Sequence, residues 1–237
     1  MQTTDTTTAT TLRSRESVAE GTMAFHFDKP AEFRFKPGQA IDLVLGGQRH
    51  AFSIVSAPFE DEIVIATRMR DSEFKRALKA TPLGGRAGID GPFGSLTLHK
   101  DSARPAILIA GGIGITPYMS MLRQAAADRS AHRIVLLYSV RRPSDAAFLE
   151  ELRELQERNA NFRLVVTVTQ PETAGQGWRG ETGHFDKAML ARVRRELAPR
   201  PIHYLAGPPA MVAGLKQVLE GAGVEDDDIR AEEFFGY

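Results

Sequence analysis

A chain of 237 residues with 42% hydrophobic and 25% charged side chains is long enough for two domains and lies far from disordered or fibrous compositions. Its 30 basic and 30 acidic residues balance, so no overall field exists to grip nucleic acid, and a charge-steered partner must be read by a local patch. With no cysteine, disulfides, thiolate metal sites and thiolate-held iron–sulfur clusters are excluded on this chain.

The opening segment, MQTTDTTTATTLRSRES, is polar and lacks the apolar core of a secretory signal, although its Thr-rich, Arg-bearing look is faintly that of a transit peptide. It is expected to be a frayed tail leading into the first strand. From about Thr10 to Leu98, short apolar runs and turn residues predict strands over Leu12 to Val18, Thr22 to Phe27, Ala40 to Leu45, Ala51 to Val55 and Ile63 to Thr67. That spacing predicts an antiparallel β-barrel or sandwich. Phe35-Lys36-Pro37-Gly38-Gln39 is a turn by its Pro-Gly pair, and Ser72 to Ala80 reads as one helix with Ser72 as its N-cap.

Beyond Lys100 strand and helix alternate: strand Ala106 to Ala110, helix Tyr118 to Ala127, strand Arg133 to Ser139, helix Ser144 to Arg158 and strand Phe162 to Thr169. A helix near Asp186 to Glu196, strand His203 to Ala206 and helix Ala210 to Ala222 complete the order. This rhythm predicts an α/β domain, a parallel sheet with helices on both faces. The change of rhythm at His99 to Arg104 divides the chain into expected domains 1–100 and 101–237. The most apolar stretch, Ala106 to Ile115, is short and carries three glycines, so no membrane span is expected and the cytoplasm is the expected location.

The run Ile107 to Pro117 is an apolar strand ending in a glycine turn (Gly111, Gly112, Gly114) that opens a helix. Glycines let backbone approach a pyrophosphate, and the helix N-terminus favours its charge. The spacing is not GxGxxG, and such a turn can also be tight packing alone. A second turn, Ala206-Gly207-Pro208-Pro209-Ala210-Met211, follows a later strand of the same sheet, so both turns would face one crevice.

Taken in order, His50-Ala51-Phe52-Ser53, Gly91-Pro92-Phe93-Gly94, Gly111 to Pro117, Gly207 to Met211 and the terminal Glu233-Phe234-Phe235-Gly236-Tyr237 resemble the ferredoxin–NADP reductase superfamily over nearly the whole chain. The resemblance implies a flavin-binding β-barrel at residues 1–100 and a nicotinamide-binding α/β domain at 101–237. In this family an Arg-x-Tyr-Ser element holds the flavin; by position Phe52 and Ser53 take the aromatic and hydroxyl roles, and His50 stands where the arginine should be. The flavin phosphates could instead meet a protonated His50, Arg49 across a bulge, or Arg68 and Arg70 ahead of the Ser72 helix, whose N-terminus can bind phosphate. The helix with Ser72 and one arginine is favoured.

The resemblance further implies that Gly112 and Thr116 lie under the nicotinamide and pyrophosphate, with Gly207 and Met211 closing the pocket. Ala206 replaces a cysteine common in relatives, which should alter rates without abolishing hydride transfer. Ser139 and Arg141 could hold a 2′-phosphate, favouring NADP over NAD, although Asp145 is near. Tyr237 is the candidate aromatic to stack over the flavin, and Glu233 a candidate proton relay.

The six histidines never fall at metal-ligand spacing, so no metal site is expected, and no GxSxG elbow exists. Glu225 to Asp228 read as a solvated loop, and Lys187, Arg192, Arg194 and Arg195 as a basic helix face that is solvated or meets an acidic carrier. The expected function is passage of electrons from NAD(P)H through FAD, or less expectedly FMN, to a separate ferredoxin-like or haem carrier. Two other readings remain open: a reductase of free flavin or quinone, and a flavin-bearing binding or sensing module with little turnover.

Overall fold

The computed structural model describes residues 7–175, 178–197 and 199–235. Its first half is one antiparallel sheet of β1 (Thr8–Ala19), β2 (Thr22–Asp28), β3 (Ala40–Leu45), β4 (Gln48–Ser53), β5 (Glu62–Arg68) and β6 (Arg86–Phe93), in the order β4-β3-β6-β1-β2-β5. An Ile54–Ile65 bridge joins its two edges and closes a barrel. Alternation sends Leu12, Phe25, Phe27, Ile41, Leu43, Ile63 and Ile65 inward. Helix α1 (Glu73–Ala80) adds Phe74 and Leu78 to that core, and its N-cap is Ser72, whose hydroxyl accepts from Lys75 N–H at 3.2 Å.

Three expectations for this half need correction. The Thr-rich stretch expected to fray is strand from Thr8, and Thr8 to Thr11 pair with β6. β6 was hidden because RAGIDGPF carries two glycines and a proline and buries only Ile89, yet it is the ladder between β3 and β1. The strand expected over Ala51 to Val55 runs instead from Gln48 to Ser53. Ile54 and Val55 leave it, their N–H groups donating to Gln39 and Val64 carbonyls.

The second half is a parallel sheet of β7 (Ala106–Gly111), β8 (Ile134–Val140), β9 (Phe162–Val168), β10 (Glu181–Thr182), β11 (Ile202–Gly207) and β12 (Ile229–Glu233), ordered β10-β9-β8-β7-β11-β12. Helices α2 (Thr116–Ala127) and α3 (Leu149–Arg158) cover one face; α4 (Lys187–Glu196) and α5 (Pro209–Gly221) cover the other. The helix expected from Ser144 begins five residues later. Pro143–Asp145 form a separate 3-10 turn, and Phe148 stands at φ 60°, so its left-handed backbone breaks the run before Leu149.

Both halves share a core, since Ala24, Val55, Val64, Ala66 and Leu96 of the barrel pack in one cluster with Tyr118, Met119 and Leu122 of α2. Ser120 donates to the Ser56 carbonyl at 2.7 Å, and Arg123 pairs with Glu60 at 3.4 Å and Glu151 at 2.6 Å. The barrel mouth and the carboxyl ends of the parallel strands are thereby held at a set distance.

Candidate active site

Where the halves meet, a cavity of about 510 Å³ opens along β4, the end of β5 and the N-terminus of α1. On β4, His50 and Phe52 share one face and pack on Phe74, with ring centroids 4.3 and 5.9 Å away, while Ala51 lines the rim between them. Arg49 points to the other face, where it is bound by Asp42 and Asp90, so it does not reach this cavity. Ser53 is 4% exposed, and its Oγ is buried without a hydrogen-bond partner on the cavity wall. A buried hydroxyl left unpaired costs about 1–3 kcal/mol, which a bound polar group would recover.

Arg68, Arg70 and Ser72 line the same cavity, together with Lys75, whose pKa is lowered by burial and by the charge of Arg70. The Ser72 side chain is occupied as helix cap; the free N–H groups of the first turn of α1 and the Arg70 guanidinium remain for an anion. Thr116, Ile113, Phe234 and Phe235 close the opposite wall, and Phe235 is 80% exposed at its mouth.

A second cavity, about 280 Å³, adjoins the first at Arg68, Arg70 and Ile113. It is lined by Gly111, Gly112, Pro208 and Met211 from the two glycine turns and by Ser139 and Arg141 after β8. Gly112 has φ 54°, which a side chain would strain. Gly114 and Gly207 line neither cavity: a Cβ on Gly114 would lie 2.2 Å from the Ala206 oxygen, and one on Gly207 3.1 Å from Gly111 N. Those two glycines let the turns pack on each other, while Gly111 and Gly112 form the wall.

Asp145 stands at the centre of this second cavity's charge. Its carboxylate, 5% exposed, accepts from Arg142 at 3.0 Å and meets Arg68 and Arg141 at 3.6 Å each. Burial pushes the Asp145 pKa up, but the Arg142 hydrogen bond and the charges of Arg142, Arg141 and Arg68 outweigh it and hold the carboxyl below its usual range. The Arg68 pKa is lowered by burial and by the repulsion of Arg141. Three guanidiniums around one carboxylate leave positive charge for a ligand phosphate.

The structure separates some expected site residues from the cavities. Glu233 is exposed and lines neither; the next residue back, Glu232, turns to the inner face of β12, where burial raises its carboxyl pKa. Thr116 lines the larger cavity rather than the glycine-walled one, and its hydroxyl already donates to the Ile113 carbonyl at 3.0 Å. Tyr237 and Gly236 lie outside the described residues. Sequence reading missed Thr22, Thr169 and His184 as liners, which come from segments remote from the motifs, and Lys75, which lies three residues after Ser72 on α1. Among the described residues no three His, Asp or Glu side chains converge to hold a metal, and no helix is long and apolar enough to cross a membrane.

Residues 108–217 match the family model of the oxidoreductase NAD-binding domain. Over 221 residues the chain is 28% identical to the glycine betaine monooxygenase reductase subunit of Chromohalobacter salexigens, covering 90% of this chain and 60% of that protein. The propane 2-monooxygenase reductase component of Rhodococcus jostii is 28% identical, covering 87% of this chain and 57% of its own. A crystal structure of a ferredoxin NADP+ reductase from Neisseria gonorrhoeae with bound FAD and NADP superposes with TM-score 0.80 at 22% identity, covering 97% of this chain and 99% of that one.

Residues 108–217 thus match the oxidoreductase NAD-binding domain family, and the whole chain shares the two-domain fold of that ferredoxin NADP+ reductase. The chain spans roughly three fifths of the length of these two curated relatives. Within that two-domain fold, the larger cavity lies on the barrel side and the glycine-walled one at the carboxyl ends of the parallel strands, where open α/β sheets bind ligands.

Proposed function

We propose that the protein is an FAD-dependent NAD(P)H oxidoreductase that passes electrons from a nicotinamide dinucleotide to a separate one-electron carrier. The observation that carries this reading is the unpaired, buried Ser53 Oγ on the wall of a cavity that opens, past Ile113, into a second one walled by Gly111 and Gly112. A flavin bound in the first cavity supplies a ring that accepts hydride from a reduced nicotinamide and releases electrons singly.

The chain's own residues prepare that encounter. Ser53 donates or accepts at the polar edge of the flavin ring, Phe52 and His50 flank it, and the α1 N-terminus with Ser72, Arg70 and Arg68 receives its phosphates. Gly111, Gly112, Pro208 and Met211 seat the dinucleotide, and Ser139, Arg141 and Asp145 face its second ribose. Phe235 stands at the mouth of the larger cavity, two residues before Tyr237, which remains the aromatic proposed to stack over the ring. The packing of α2 on the barrel holds the two cavities side by side, which serves the orientation of the reactants.

The FAD and NADP of the Neisseria neighbour support this pairing of cavities, and the oxygenase reductases among the relatives support an oxygenase system as the destination of the electrons. Residues 1–100 are assigned to flavin and 101–237 to the nicotinamide and the tail at the flavin side. The test is an anaerobic visible spectrum of the purified chain before and after NADPH and, separately, NADH. A flavin band that bleaches with one donor is expected; absence of flavin, or flavin reduced by neither, refutes the assignment.

A further inference from the structure

At the end of the parallel sheet remote from the cofactor cavities, two smaller cavities of about 100 and 170 Å³ adjoin across Arg194 of α4. His203 faces the first of them from β11, four residues before Gly207 and hence about 13 Å from the cofactor end of that strand. His203 is 1% exposed, and among the described residues neither ring nitrogen has a hydrogen-bond partner. The Asp228 backbone approaches the ring without reaching hydrogen-bond geometry. Arg194 Nε is buried and likewise has no partner among the described residues, while an Nη donates to the Ala222 carbonyl at 3.2 Å.

The charges around this pocket do not cancel. Arg200 holds Glu225 at 2.9 Å and Asp228 at 3.5 Å, and Arg104 holds Asp228 at 2.8 Å, so both carboxylates are already neutralised. Among the described residues Arg194 has no carboxylate partner, and its charge helps hold the His203 pKa down to about 4, after burial as the larger cause. The imidazole is therefore neutral at pH 7, with one N–H to donate. Two residues with buried donors, one of them cationic, line one small space, and among the described residues neither Arg194 Nε nor the His203 ring has a hydrogen-bond partner. On the other side of Arg194 the wall becomes apolar, formed by Leu190, Val218 and Leu219 between α4 and α5.

We propose that Arg194 and His203 bind the carboxylate of a short-chain monocarboxylic acid whose alkyl end lies against Leu190, Val218 and Leu219. The carboxylate accepts from Arg194 Nε–H and from the His203 ring, and binding leaves the cofactor cavities open.

Calorimetric titration of the full chain with sodium acetate, propionate and butyrate at constant ionic strength, with the His203 ring signals followed by NMR, tests this directly. Saturable binding is expected with a Kd on the order of 1 mM. Butyrate should bind about tenfold more tightly than acetate, because two more methylenes are buried. Arg194→Met should weaken butyrate about tenfold or more while the native chain shows the His203 pKa rising on binding. Acids that produce neither heat nor a His203 shift mean the pocket holds water only and overturn the proposal, as does butyrate bound equally well by Arg194→Met or no better than chloride. The His203 signal needs no variant, so a misfolded Arg194→Met leaves the question decidable, and neither readout involves a nicotinamide or the flavin.

Discussion

Replacing Gly114 by alanine would set a Cβ 2.2 Å from the Ala206 oxygen, 2.6 Å from the Ala206 carbonyl carbon and 2.9 Å from Gly207 Cα. All three are backbone atoms of β11, so no side chain can swing away and the 3-10 turn at Gly112–Ile115 must lift from the strand. Overpacking of this kind costs about 1–3 kcal/mol, which lowers the Tm of a chain this size by roughly 2–10 °C. The same lift displaces Gly112 from the wall of the nucleotide cavity, so the KM for NAD(P)H should rise while bound flavin is retained. Gly214 is the control: it lies within α5 with nothing within 4 Å of its added Cβ, so Gly214→Ala should stabilise by about 0.5–1 kcal/mol. Thermal melts by circular dichroism and steady-state kinetics of the two variants decide the matter. A Gly114→Ala chain that melts with the native protein would refute the claim that this glycine exists for backbone contact.

Other outcomes follow from the same geometry. Ser53→Ala should leave flavin bound and slow its reduction by about tenfold, the worth of one hydrogen bond; stopped-flow bleaching at an unchanged rate would remove Ser53 from the mechanism. Asp145→Asn removes the carboxylate that faces Arg68, Arg141 and Arg142, so kcat/KM for NADPH relative to NADH should rise about tenfold, the value of one lost charge repulsion against a 2′-phosphate; an unmoved ratio would place that phosphate elsewhere. His203 titrates at about 4 in the folded chain against 6.5 unfolded, so as pH falls the unfolded state takes its proton first. Stability should therefore decline from about pH 6.5 and keep declining to about pH 4, by roughly 3 kcal/mol in total. Urea melts across that range should show this dependence and lose most of it in His203→Leu; an equal slope in the variant assigns it to other groups.

Much of this architecture is legible in one dimension. The period-2 runs of the barrel, the Ser72 cap and the alternation of apolar strands with amphipathic helices after Lys100 each state their element through local side-chain pattern, and Ala40–Leu45 and the helix ending at Ala80 come out at the observed residues. β6 did not, because a strand between two neighbours can rely on ladder hydrogen bonds and tolerate glycine and proline that local propensity counts against. Phe148 likewise hides a helix start, since only burial of its neighbours holds a bulky residue in left-handed backbone.

For the site, sequence supplied the pieces that share a short stretch of chain: His50 to Ser53, the two glycine turns, and the arginines ahead of Ser72. Which side each residue faces was decided by tertiary structure. Arg49 went to Asp42 and Asp90, Glu232 rather than Glu233 turned inward, and Asp145 became the carboxylate common to three arginines, one of them from the barrel. The glycines divided between cavity wall and backbone contact only once β7 and β11 stood side by side. Local pattern is set by each residue's own backbone and nearest neighbours along the chain; charge pairing, close approach and burial are set by segments far apart in sequence, and those are known only when the two sheets have packed together.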